Sequence, residues 1–250
     1  MFNKNQSVVN LDPIDRKKKL GLFGRLLITT WHGGKPVRKT EKFGHYMFCG
    51  KQRGGKTASV LWYAEQLAKR YKKKPFKFLE HYIGYTDDVT GEYIKFDTLP
   101  KVKLWSNFGV GTAFNRAQVF DLIDKFDPYA NEVRIVLIDE IHTYFPKNST
   151  SKETKSILDD MTTVFSQLAK RNCYVLSTAQ VYGRLDKAMR EQCLYMVDCH
   201  VNLNRKIVNE FILEADILCD DLGRWAGNPK FIRVHGLSNL VYDTKRLIRE

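Results

Sequence analysis

The spacing of apolar positions along this 250-residue chain changes several times, and each change marks an element. Residues 43–50, FGHYMFCG, are a short apolar run ending on glycine, the pattern of a buried strand that feeds a loop. From Lys56 onward Val60, Ala64, Leu67, Ala68 and Tyr71 recur at helical spacing, until a lysine run precedes Pro75. FKFLEHYIGYTDDVTGEYIKF predicts a strand and a polar hairpin, and VKLWSNF a further strand. Val119, Leu122, Ile123 and Phe126 predict a helix that stops at Asp127-Pro128. Residues 134–139, RIVLID, show no polar alternation until their end, as expected of a strand covered on both faces of a parallel sheet. Ile157, Met161, Val164, Phe165 and Leu168 mark another helix, and CYVLSTAQ another buried strand. Beyond Gln192 the rhythm changes: LYMVDCHVNLNRKIVNEFIL reads as a strand pair joined near Asn204-Arg205, in antiparallel arrangement.

This alternation predicts an α/β fold, a mainly parallel central sheet flanked by helices with an antiparallel pair near the C-terminus. Residues 41–250 make up that domain, and residues 1–40 an arm. Within the arm, DRKKKLGLFGRLLITTWHGG joins a basic run to a short apolar patch before two glycines. Such an arm suits nucleic acid, a membrane surface or a neighbouring subunit, and equally a solvated tail with one docking helix.

Charge adds a partner class. Lys and Arg number 41 against 28 Asp and Glu, a formal +13, and such a field attracts polyanions, nucleic acid first and anionic lipid second. With 43% apolar residues a packed core is within reach, which excludes wholesale disorder. Five scattered cysteines, never spaced C-x-x-C, argue against a disulfide framework and a zinc site. His45, His81, His142 and His200 are dispersed and make no metal constellation. The sequence shows neither a signal-peptide core nor an apolar run near the ~18–20 residues of a membrane-spanning helix. On these features the chain is expected to be cytosolic.

GKQRGGKT, residues 50–57, carries the chemistry. Gly50, Gly54, Gly55, Lys56 and Thr57 satisfy G-x-x-x-x-G-K-[ST], the phosphate-binding loop, placed between a predicted strand and a predicted helix. Glycines let backbone N–H groups converge on phosphate oxygens, and the amides of the first helical turn, through Ala58, face the same way. In that pattern Lys56 reaches the β- and γ-phosphates, and the Thr57 hydroxyl ligates Mg²⁺. RIVLIDEIH supplies acids at the carboxyl end of a buried strand, Asp139 for the Mg²⁺ shell and Glu140 to orient and activate the attacking water. Gln180 ends the STAQ strand and suits a bond to the γ-phosphate or the lytic water, or a plain strand cap. Arg171, Arg184 and Arg190 lie around that strand, each a candidate finger for a neighbour's nucleotide and each an ordinary surface arginine by composition. Together these residues point to Mg²⁺-dependent ATP hydrolysis.

The order GKQRGGKT, RIVLIDEIH, AKRNCYVLSTAQVYGRLDKAMREQC resembles the FtsK/HerA branch of P-loop ATPases over residues 43–201. Small members of that branch include genome-packaging ATPases of tailless, membrane-containing viruses and assembly ATPases of filamentous phages. The resemblance implies a RecA/ASCE-like sheet and a homo-oligomeric ring, pentameric or hexameric, moving double-stranded DNA through a pore. Capsid-vertex or membrane proteins are its implied partners. Lys56, Thr57, Asp139, Glu140 and Gln180 then take the roles already argued, with Arg184 or Arg171 acting as the finger. A DExH helicase would need a second RecA-like lobe, for which nothing after Gln180 has the alternating elements. A Zot-type assembly ATPase normally carries a membrane helix, which leaves packaging ahead of assembly and conjugation. A nucleotide-binding scaffold at a membrane, suggested by the basic arm, is the non-motor alternative. The aromatic and basic stretch KRYKKKPFKF suits backbone contacts with stacking, but a helix dipole accounts for its lysines without DNA.

Overall fold

The computed structural model describes residues 42–71, 84–87, 89–96, 98–115, 118–127, 129–145, 152–219, 225–227 and 229–236. The basic arm, and the residues of KRYKKKPFKF beyond Tyr71, lie outside them. In chain order the strands are β1 (Gly44–Cys49), β2 (Gly84–Thr86), β3 (Tyr93–Lys95), β4 (Lys101–Ser106), β5 (Thr112–Ala113), β6 (Glu132–Ile138), β7 (Cys173–Ala179), β8 (Cys193–Val201), β9 (Ile207–Leu213), β10 (Leu218–Cys219), β11 (Trp225–Ala226) and β12 (Phe231–His235). The helices are α1 (Lys56–Tyr71), α2 (Val119–Asp124), α3 (Lys152–Ser166) and α4 (Lys187–Glu191).

Eight strands form one sheet in the order β12-β9-β8-β1-β7-β6-β4-β5. From β8 to β5 all neighbours run parallel, while β9 is antiparallel to β8 and β12 antiparallel to β9. The antiparallel pair near the C-terminus is therefore present, and the short strand β12 extends it. Separate two-stranded ribbons pair β2 with β3 and β10 with β11.

The central strands are buried on both faces because successive side chains point to opposite layers, and both layers are covered. Tyr46, Phe48, Ile135, Leu137 and Leu176 point to the face packed by α1 through Val60, Leu61, Tyr63 and Leu67. Met47, Val136, Ile138 and Val175 point to the other face, which α2, α3 and α4 cover through residues such as Ile123, Phe165 and Met189. The predicted helical stripe of α1 is thus its buried stripe, and Lys69 pairs with Glu65 one turn back near the negative end of the helix dipole. α4 begins where the Asp186 side chain accepts the Ala188 N–H, a standard N-cap.

His45 belongs to this core. It is fully buried, its Nε2 lies 2.7 Å from Ser177 Oγ, and burial pulls it down to about 3, so it packs as a neutral ring. Cys49, Cys173, Cys193 and Cys199 are buried thiols.

Candidate active site

Three strand ends meet at one edge of the sheet. β7 lies between β1 and β6, with Cys49 opposite Ala179 and Ile138 opposite Ser177. The next residues along each strand are Gly50, Gln180 and Asp139, so the glycine loop, the glutamine and the acids share the carboxyl edge of the parallel sheet, where such folds bind ligands.

The loop is shaped by close backbone approach. Gly50 has φ +149° and Gly55 φ +86°, and a Cβ on Gly50 would lie 2.4 Å from the Cys199 carbonyl oxygen, so no side chain fits there. Lys56 is 9% exposed, and its Nζ donates to the carbonyls of Gly50 and Lys51, at 3.1 Å each, which holds the ammonium over the loop. Thr57 and Ala58 are half-buried in the first turn of α1.

Asp139 is the centre of a small network. Its Oδ1 accepts from Thr57 Oγ1 at 3.3 Å and from the Thr178 hydroxyl. Thr178 Oγ1 in turn accepts the Glu140 N–H at 2.9 Å, so one hydroxyl ties both acids to β7. Asn107, just past β4, grips the backbone of Asp139 from the other side: its Oδ1 accepts the Asp139 N–H at 2.8 Å, and its Nδ2 donates to the Asp139 carbonyl and to the Tyr144 hydroxyl, 3.1 Å each. The side chain of Asn107 thus continues the ladder between β4 and β6 beyond the end of the sheet. Glu140 takes the left-handed conformation, φ 54° and ψ 50°, which costs a side-chain-bearing residue about 1 kcal/mol and turns it out of the strand direction. Its carboxylate faces His142, Oε2 to Nδ1 3.2 Å.

These oxygens fit a divalent cation. Ligands at adjacent positions around Mg²⁺, with bonds of roughly 2.0–2.1 Å, lie about 3 Å apart, close to the separation of Thr57 Oγ1 and Asp139 Oδ1. One hydroxyl and one carboxylate, with phosphate and water completing the shell, is the donor set Mg²⁺ takes in nucleotide sites.

The arginines divide. Arg184 is exposed in the 3-10 turn Tyr182–Arg184 just after Gln180, at the same edge as the loop. Arg190 lies with its guanidinium carbon 5.2 Å from the centre of the Tyr182 ring. Arg171 does not join the site: it precedes β7, about 20 Å away at the opposite end of that strand. There it bonds the Ile123 and Asp124 carbonyls and the Asp124 carboxylate, closing the end of α2 onto the turn before β7. Residues either side of one strand are neighbours in sequence and at opposite edges in space, so Arg171 lies far from this chain's own loop. Sequence reasoning also passed over Asn107 and Thr178. The only signal for them was position, a polar residue at the end of an apolar strand of a parallel sheet.

Residues 46–200 match the ATPase family associated with various cellular activities, AAA. The chain belongs to this family. An AAA assignment accounts for the loop, the two acids and the covered sheet together, and makes the protein a P-loop ATPase. No curated protein matches the chain by sequence. Among solved structures, the N-terminal domain of zonular occludens toxin from Neisseria meningitidis is 13% identical with TM-score 0.43, covering 81% of this chain and 100% of that one. The genome packaging NTPase B204 of Sulfolobus turreted icosahedral virus 2, in complex with ATP-gammaS, is 9% identical with TM-score 0.40, covering 78% and 97%. A third, described as an ATPase, is 11% identical with TM-score 0.44, covering 80% and 83%. Likenesses this remote carry no argument about what the AAA domain acts on. Among the described residues, no helix is long and apolar enough to cross a membrane.

Proposed function

We propose that the protein is a Mg²⁺-dependent ATPase of the FtsK/HerA branch whose ring-shaped homo-oligomer translocates double-stranded DNA, packaging a viral genome. The observation that carries the hydrolytic half is the convergence of the Thr57 and Thr178 hydroxyls on one carboxylate oxygen of Asp139 beside the glycine loop. Lys56 exchanges its loop carbonyls for phosphate oxygens as the triphosphate seats on the amides of α1. Mg²⁺ held by Thr57 and Asp139 would draw charge from the β- and γ-phosphate oxygens. Glu140 takes a proton from the attacking water, and Gln180, on the strand between loop and acids, bonds the water or the γ-phosphate. Arg184, exposed at that edge, is the arginine that reaches a neighbour's nucleotide.

The translocating half rests on the charge of +13 and the sequence resemblance. Its test is ATP turnover with and without duplex DNA at stepwise salt. Several-fold stimulation at low salt, fading as counterions compete for the phosphates, is expected. Turnover indifferent to DNA, or stimulated by anionic vesicles instead, overturns it.

Thr178→Val keeps the shape of the side chain but removes both hydroxyl bonds, leaving Asp139 and Glu140 less well aimed. Turnover should fall about 10–100-fold, the usual effect of losing a group that orients a metal ligand. More Mg²⁺ should be needed for half-maximal rate, while the melting temperature moves little. A variant with the wild-type Mg²⁺ requirement would show that Thr178 only caps a strand.

A further inference from the structure

The β8–β9 turn stands beyond the glycine loop, and nothing in the hydrolytic arrangement uses it. β8 lies beside β1 with Asp198 level with Cys49, where β1 gives way to the loop, and it continues to Val201, roughly 10 Å further. The two backbones touch: the Cys199 carbonyl oxygen lies 2.4 Å from where a Cβ on Gly50 would stand and 2.9 Å from one on Gly54. From β9, Ile207 packs against Gly55, and fully buried Asn209 bonds Ser59 Oγ at 2.8 Å in the first turn of α1. Loop, helix start and hairpin are therefore one rigid piece.

The turn is also held in shape by its own bonds. Asn202 N–H donates to the Lys206 carbonyl, the Asn202 Oδ1 accepts the N–H groups of Asn204 and Lys206 at 3.0 and 2.9 Å, and Arg205 adopts φ 55°. So ordered, it presents an apolar side chain, Leu203 at 84% exposure, together with exposed Arg205. A single exposed leucine is ordinary in itself, so the ligand this turn meets is decided by what lies beside it.

The direction of the nucleotide selects that ligand. Asp139 and Gln180 place the γ-phosphate end on the β7–β6 side of the loop, so a triphosphate lying across the head of α1 carries its nucleoside to the other side, where β8 and β9 stand. We infer that the β8–β9 turn is the nucleoside-binding wall of the site, with Leu203 covering one face of the purine and the Arg205 guanidinium packing on the base or the ribose. This assignment rests on the ATPase reading and adds the element that tells a nucleotide from a bare polyphosphate.

The test is calorimetric binding of ATPγS and of inorganic tripolyphosphate, both with Mg²⁺, to the wild-type protein and to a Leu203→Ser/Arg205→Ala variant, whose two changes are at exposed positions. Wild type should prefer ATPγS, and the variant should bind it about tenfold more weakly, the usual scale of one lost base contact, with tripolyphosphate binding unchanged. Unchanged ATPγS affinity overturns the assignment. Equal weakening of both ligands overturns it too, since the turn then only supports the loop. Wild type that binds both ligands equally well removes the nucleoside wall and leaves the ATPase reading standing, whereas wild type that binds neither removes both.

Discussion

Lys56→Ala is expected to abolish ATP turnover and to leave the fold standing. The ammonium is the one cation whose position over the loop is fixed by two carbonyls, those of Gly50 and Lys51, and no other described side chain is so placed to meet the β- and γ-phosphates. Losing a preorganised charge aimed at the reacting phosphate costs about 10²–10³ in rate, and the weakened nucleotide affinity adds to it. The carbonyls released lie in a loop whose residues Lys51, Gln52 and Arg53 are exposed, so water replaces the ammonium there and the stability cost stays within about 1–2 kcal/mol. Turnover by phosphate release and unfolding by calorimetry separate the two effects. A variant that turns over at the wild-type rate would refute the assignment of the loop, and one that fails to fold is replaced by Lys56→Arg, which keeps the charge but changes its geometry.

Glu140→Gln is expected to uncouple binding from hydrolysis. The substitution keeps size and hydrogen-bonding reach but cannot accept a proton at neutral pH, so kcat should fall about 10²–10⁴-fold while ATP affinity stays near wild type. The backbone of Glu140 adds a control. At φ 54° a glycine is at ease, so Glu140→Gly should be equally inactive yet no less stable by the backbone term. Two inactive variants with intact stability would place the defect in chemistry. Retention of more than a tenth of wild-type turnover in Glu140→Gln would move the base elsewhere, with His142, 3.2 Å from the Glu140 carboxylate, the first residue to examine.

Much of this could be read from the chain because strand, loop and helix follow one another without interruption from residue 43 to 71, and because RIVLID has no polar residue between Arg134 and Asp139. A strand covered on both sides announces itself by composition, and its end points to the binding edge. The hairpin β8–β9 was legible for a related reason, a polar tip between two apolar runs. What was not legible depends on which strands are neighbours. Nothing local in the sequence sets β7 between β1 and β6, so the partnership of Thr178 with both acids, and of Asn107 with Asp139, appears only once the sheet is assembled. β12 was missed because FIRVH is five residues long, mostly half-buried, with a charged residue at its centre. For Arg171, nearness in sequence to β7 did not tell at which end of that strand it would stand.

The strand that feeds the glycine loop is enclosed on both sides, with β7 in step along all of β1 and β8 along most of it. Tension on the loop directed along β1 would have to shear two parallel ladders at once, breaking many backbone bonds together instead of peeling them singly. The seat of the nucleotide is thereby an anchorage, and strain arising there should be relieved in the surrounding turns before β1 slips.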